Sequence, residues 1–135
     1  MKFILFLLLI SLSSHGLAEN WKQFGQSKSG NTFYIDVDSI KIYKEHIYYS
    51  TLINYPKITK IGTFSDISEY KVDCVSQKQT WLSYKIYSQP MAQGEVVTNG
   101  IPVWNHYGST LNETRYLEPG SLEQRISLYV CDFAK

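Results

Sequence analysis

The sequence predicts an α+β fold that is mostly β, an antiparallel sheet with a carboxy-terminal helix packed on it and tied by one disulfide. Three observations predict it. Eleven tyrosines with frequent Ile and Val favour strands. Turn residues recur roughly every ten positions, as hairpins require. The single stretch with clear helical periodicity opens on a capping signature near the carboxy terminus.

From Thr32 to Val37 the chain alternates, with Phe33, Ile35 and Val37 on one side and Thr32, Tyr34 and Asp36 on the other, the period of a half-buried strand. Asp38 and Ser39 read as the turn that ends it. A longer strand follows from Glu45 to Asn54, with Ile47, Tyr49, Thr51 and Ile53 on one face, and Pro56 ends it because proline cannot donate to a ladder. Ser68 to Cys74 alternates again, placing Tyr70, Val72 and Cys74 on the core side. Its partner runs from Thr80 to Ser88, with Leu82, Tyr84 and Ile86 inward and Trp81, Ser83, Lys85 and Tyr87 outward, across a loop at Ser76 to Gln79. From Met91 to Thr114 the pattern dissolves into Gly, Asn, Thr and Ser, which predicts a long surface excursion with one short strand near Glu95 to Thr98.

Pro119-Gly120-Ser121 followed by Gln124 is a capping box: the Ser121 hydroxyl can accept from an amide three residues on while Gln124 reaches back. Leu122, Ile126, Tyr129, Val130 and Phe133 then share one stripe at the helical period. Cys131 points almost opposite that stripe. Either the helix ends or bends near Tyr129 to release Cys131, or it is buried on both sides; the first is the expectation.

Residues 1–18 have the form of a secretory signal peptide: Lys2, an apolar run from Phe3 to Leu12, and small residues at Gly16 and Ala18. The run is about half the ~20 residues that span a bilayer. The expected mature chain, residues 19–135, is one domain without a transmembrane span or lipid anchor, periplasmic, secreted or on the cell surface. Cys74 and Cys131 are its two cysteines, and an oxidising compartment predicts that they pair. Without Lys2 the charges balance, which argues against nucleic acid as a partner and leaves recognition to local patches.

Little in the sequence points to catalysis, a metal or a cofactor. His46 and His106 have no Cys, Asp or Glu at ligand spacing. Asp36 and Asp38 flank Val37, a pattern that caps backbone amides more often than it holds a cation. Ser68-Glu69-Tyr70-Lys71 matches S-x-x-K, yet on a strand residues three apart face opposite ways, so the serine and lysine cannot cooperate. Lys41, Lys44, Lys57 and Lys60 read as a solvated rim, and Asn112-Glu113-Thr114 is a glycosylation sequon. The expected protein is therefore not an enzyme. Its candidate partner-binding residues are Tyr34, Tyr48, Trp81, Lys85 and Tyr87, an outward aromatic face of the kind proteins use for recognition.

Several features occur in a recurring order: Trp21, then Phe33-Tyr34-Ile35-Asp36 with Ser39-Ile40, then Cys74 six residues after Ser68. The strand of Tyr84 follows, then Met91-Ala92-Gln93-Gly94-Glu95-Val96-Val97, and Pro119-Gly120-Ser121 ends ten residues before Cys131. In this order the chain resembles the surface-adhesin protein E family of bacterial exported proteins. The resemblance implies the sheet, helix and disulfide above, and binding to host extracellular matrix such as vitronectin or laminin. Two positions depart from the family pattern. No cysteine follows the leader to carry a lipid, and Tyr116 stands where a tryptophan is common. The resemblance transfers no binding residue. The alternative is a periplasmic envelope factor or an inhibitor of a host or envelope enzyme; homodimerisation through a strand edge or the aromatic face is compatible with either.

Overall fold

The computed structural model describes residues 19–100 and 114–135. The expected signal peptide, His106 and the sequon asparagine lie outside the described residues. Six strands form an antiparallel meander in sequence order: β1 (Trp21–Gln26), β2 (Thr32–Tyr43), β3 (His46–Asn54), β4 (Ser65–Asp73), β5 (Lys78–Gln89) and β6 (Gln93–Gly100). A short β7 (Thr114–Tyr116) pairs with the start of β5, and α1 (Leu122–Phe133) closes the chain. The expected α+β architecture, mostly antiparallel sheet with a carboxy-terminal helix, is the one observed.

The β2 strand runs past the expected turn. Asp38 and Ser39 form a bulge, with the register to β3 shifting between Asp36 and Lys41, and the ladder resumes to Tyr43. Side chains repair the gap that the bulge opens. The Ser39 hydroxyl donates to the Asp36 carbonyl at 2.7 Å and accepts from the Ser50 amide at 2.9 Å. Asp36 Oδ1 accepts from the amides of Asp38 at 3.1 Å and Asn20 at 3.2 Å. Asp36 thus caps backbone amides, as its pattern predicts. The turn itself lies at Lys44, which takes a left-handed φ of 55°.

The hydrophobic core lies between the sheet and α1, where Phe33, Ile35, Ile47, Tyr49 and Val72 pack against Ile126, Val130 and Cys131. The Tyr49 and Tyr70 rings stack at 5.7 Å, and the Tyr49 hydroxyl accepts from Gln79 Nε2 at 2.7 Å. Burial pushes the Tyr70 phenol up to about 12 and that of Tyr49 higher still, so both remain protonated at neutral pH. Cys74 and Cys131 are bonded, with Cα atoms 6.0 Å apart.

The capping box forms as expected: Ser121 Oγ accepts from the Gln124 amide at 3.1 Å, while Gln124 Oε1 accepts from the Gly120 amide at 2.7 Å. The expected bend does not. The helix continues through Cys131 to Phe133, and its buried residues are Ile126, Ser127, Val130 and Cys131. That arc is rotated by roughly a quarter turn from the apolar stripe. The reason lies in β1, a strand that the sequence pattern does not announce. Tyr129 meets Phe24 edge-on at 5.6 Å, and Leu122 reaches so close to Gly25 that a Cβ there would lie 3.3 Å from its Cδ1. Leu122 and Tyr129 therefore cover β1, and the opposite flank is free to reach the β4–β5 turn through Cys131 and Ser127.

Candidate functional site

Residues paired across a sheet share a face, so the register places each candidate side chain. Tyr34, Leu52, Ile67 and Lys85 form one continuous row across β2, β3, β4 and β5. Tyr87 lies in the row of Ser65 and Asn54, and Tyr48 in that of Lys71 and Thr80. All of these alternate away from Tyr49 and Tyr70, so Tyr34, Tyr48, Lys85 and Tyr87 share the face opposite α1. At strand spacing the patch measures about 14 Å across the strands and about 20 Å along them.

Trp81 is a correction. Glu69 pairs with Ser83 but Tyr70 pairs with Trp81, which leaves Leu82 as an extra residue on β5. The bulge inverts the alternation before it. Trp81 follows Gln79 on the helix side, its ring 5.5 Å from that of Tyr84, and Leu82 lines the opposite face instead of the core. No single-strand pattern could have shown this, because a bulge is a relation between two strands.

The face opposite the helix has a depression of about 240 Å³ bordered by Lys41, Tyr48, Ser50, Glu69 and Leu82. Tyr43 meets Tyr48 edge-on at 6.2 Å, and Glu69 accepts from the Ser83 hydroxyl at 2.6 Å. At the far end of the face the Pro90–Ala92 turn is clipped to the sheet: the Met91 amide donates to Asn54 Oδ1 at 2.8 Å and the Ala92 amide to Ser65 Oγ at 3.0 Å. On the same face Leu52, two residues before Asn54, has no exposed surface. Aromatic rings with one polar end and a few mobile charges around a shallow depression suit contact with another protein.

Other sequence features resolve simply. Ser68 and Lys71 face opposite sides of β4, Ser68 buried in the row of Thr51 and Tyr84, so the S-x-x-K string is split as its strand position requires. Among the described residues no group of three or more His, Cys, Asp or Glu could hold a metal ion, and no helix is long and apolar enough to cross a membrane.

A model of the surface-adhesin protein E family matches residues 21–132, from the first strand to the end of the helix. The chain belongs to that family. Among curated proteins no sequence matches it. Among solved structures, the selenomethionine form of Haemophilus influenzae protein E has a TM-score of 0.57 at 18% identity, covering 86% of this chain and 93% of that one. Crystal form II of the same protein gives 0.54 at 18% identity, over 74% of this chain and 80% of that one. Protein E from non-typeable H. influenzae gives 0.56 at 16% identity, over 86% and 90%. At such identities the likeness is one of fold. The family is one of surface adhesins, a non-enzymatic and exported class whose partners are proteins.

Proposed function

We propose that this member of the surface-adhesin protein E family is exported with removal of residues 1–18, and that residues 19–135 act as one domain. In this reading the domain binds a host extracellular-matrix protein, of which vitronectin and laminin are the first to try, through the sheet face opposite α1. The family match over residues 21–132 carries the proposal. The arrangement of Tyr34, Tyr48, Lys85 and Tyr87 on one face, the one opposite α1, supports the choice of surface. Tyrosines on a sheet face offer large contact area with little side-chain entropy to lose, and Lys85 is exposed beside them.

The test is interferometry of the oxidised domain against immobilised vitronectin and laminin, with a Tyr48→Ala, Tyr87→Ala double variant and Trp81→Ala as a helix-side comparison. Saturable binding that the double variant lowers at least tenfold, and that Trp81→Ala leaves nearly intact, is the expected result. Absence of binding at micromolar concentration overturns the matrix assignment; equal loss in both variants overturns the face.

A further inference from the structure

We propose that the pocket beneath the β3–β4 loop receives a cationic side chain of a partner protein, a lysine ammonium or arginine guanidinium, with Asp66 as its counter-ion. The site lies on the helix side of the sheet but at the end that α1 does not reach, so it is separate from the tyrosine face. Its volume is about 310 Å³, and its lining includes Tyr55, Thr59, Ile61, Thr63, Asp66 and Ile86.

The polar groups there are incompletely satisfied. The Asp66 carboxylate accepts from the Tyr55 hydroxyl and, among the described residues, has no cation within ion-pair distance; the one ion pair there joins Lys135 to Asp132. Burial raises the carboxyl above its ordinary value, with the Tyr55 bond opposing, so its charged form is disfavoured in the free pocket and an incoming cation would stabilise that form. Thr63 also lines the pocket; it is only 3% exposed, yet among the described residues its hydroxyl has no hydrogen-bond partner. A buried hydroxyl left in that state costs stability, and a ligand ammonium would give it a donor to accept from.

The walls fit the rest of such a side chain. Ile61, Ile86 and the Tyr55 ring can hold an aliphatic stem while the charged head reaches the carboxylate. Lys60 contributes to the rim but is exposed and makes no ion pair with Asp66, so it does not occupy the site. Ile58 and Ile61 stand 55% and 68% exposed on the same loop, apolar surface on which the partner backbone can settle. The loop is preformed: the Tyr55 amide donates to the Phe64 carbonyl and the Thr59 amide to that of Thr63, both at 2.9 Å. At the sheet, the Phe64 amide donates to the Tyr87 carbonyl at 3.0 Å.

The experiment is an NMR titration of the oxidised domain with Nα-acetyl-lysine methylamide and Nα-acetyl-arginine methylamide, with Nα-acetyl-norleucine methylamide as the neutral comparison. Saturable shifts confined to the amides of Tyr55 to Asp66 are expected from the two cationic probes, with the norleucine probe at least tenfold weaker. Asp66→Asn keeps an acceptor for Tyr55 and is expected to weaken the lysine probe at least tenfold. Equal binding of norleucine, unchanged affinity in Asp66→Asn, or no shift up to tens of millimolar overturns the site. If that variant does not fold, the lysine-to-norleucine comparison in the wild-type protein decides alone. None of these readouts involves the face opposite α1, so failure here leaves the adhesion proposal standing, and the reverse.

Discussion

Beneath α1 the sheet buries Tyr49 and Val72 against Val130, behind the Cys74–Cys131 bond. At the other end of the same face the β3–β4 loop covers Asp66 with a tyrosine hydroxyl and leaves a pocket. The same strands run through both ends, so the difference lies in what covers them. One cover is a covalently held helix, beneath which Ser127 of α1 and Gln79 of β5 both find partners, while the Trp81 indole N–H on that side finds none among the described residues. The other is a ten-residue loop over a carboxyl group and a hydroxyl that finds no partner among the described residues. Stability is concentrated at the first end; unspent binding capacity remains at the second.

The sharpest way to break the comparison is to cut the bond. Cys131→Ser, or reduction of the wild type, is expected to lower stability by about 2–5 kcal/mol in chemical denaturation, since the bridge joins positions 57 residues apart. A denaturation curve indifferent to reductant would mean that packing alone holds the helix. Tyr49→Phe comes next: it removes the acceptor of Gln79 Nε2, a donor on a residue only 3% exposed, at an expected cost of about 1–3 kcal/mol. Ser121→Ala deletes the cap and should cost about 1 kcal/mol, read from the same curves.

The smallest effect probes the other end and depends on pH. Burial raises the folded-state pKa of Asp66 above its ordinary value of 3.8, so folding favours its protonated form. Its contribution to stability is therefore fully present below pH 3.8 and is lost as pH rises through the folded value. Asp66→Asn should remove that loss, and the variant should gain stability relative to wild type on going from acid to neutral pH. Parallel pH profiles for the two proteins would show that the carboxyl is already fully compensated.

Much of this was legible from local pattern. The strand of Ile47, Tyr49, Thr51 and Ile53 emerged with its faces as read, because period-two alternation over nine residues leaves one register that buries the apolar side. The β6 strand was legible only in its middle and extends from Gln93 to Gly100. The β1 strand, Trp-Lys-Gln-Phe-Gly-Gln, was not legible at all: it lacks β-branched residues, and a bulge between Gln23 and Gly25 breaks its alternation. Missing β1 led to the wrong expectation for α1, since half of the helix stripe covers that strand. Of the candidate site, Tyr34, Tyr48, Lys85 and Tyr87 were placed on one face correctly, whereas Trp81 was not, and no feature of β5 taken alone marks Leu82 as the extra residue.

By itself the sequence determined the central strands from β2 to β5, where the helix begins, and which cysteines pair, because alternation, capping and cysteine number act over a few residues or leave a single choice. The tertiary structure alone decided the rotation of α1, the side on which Trp81 lies, and the meeting of Tyr55, Thr63 and Asp66 at one pocket. These depend on how one strand registers against another and on which face a neighbour leaves uncovered. Both are set by packing between segments distant in sequence, which local periodicity does not encode.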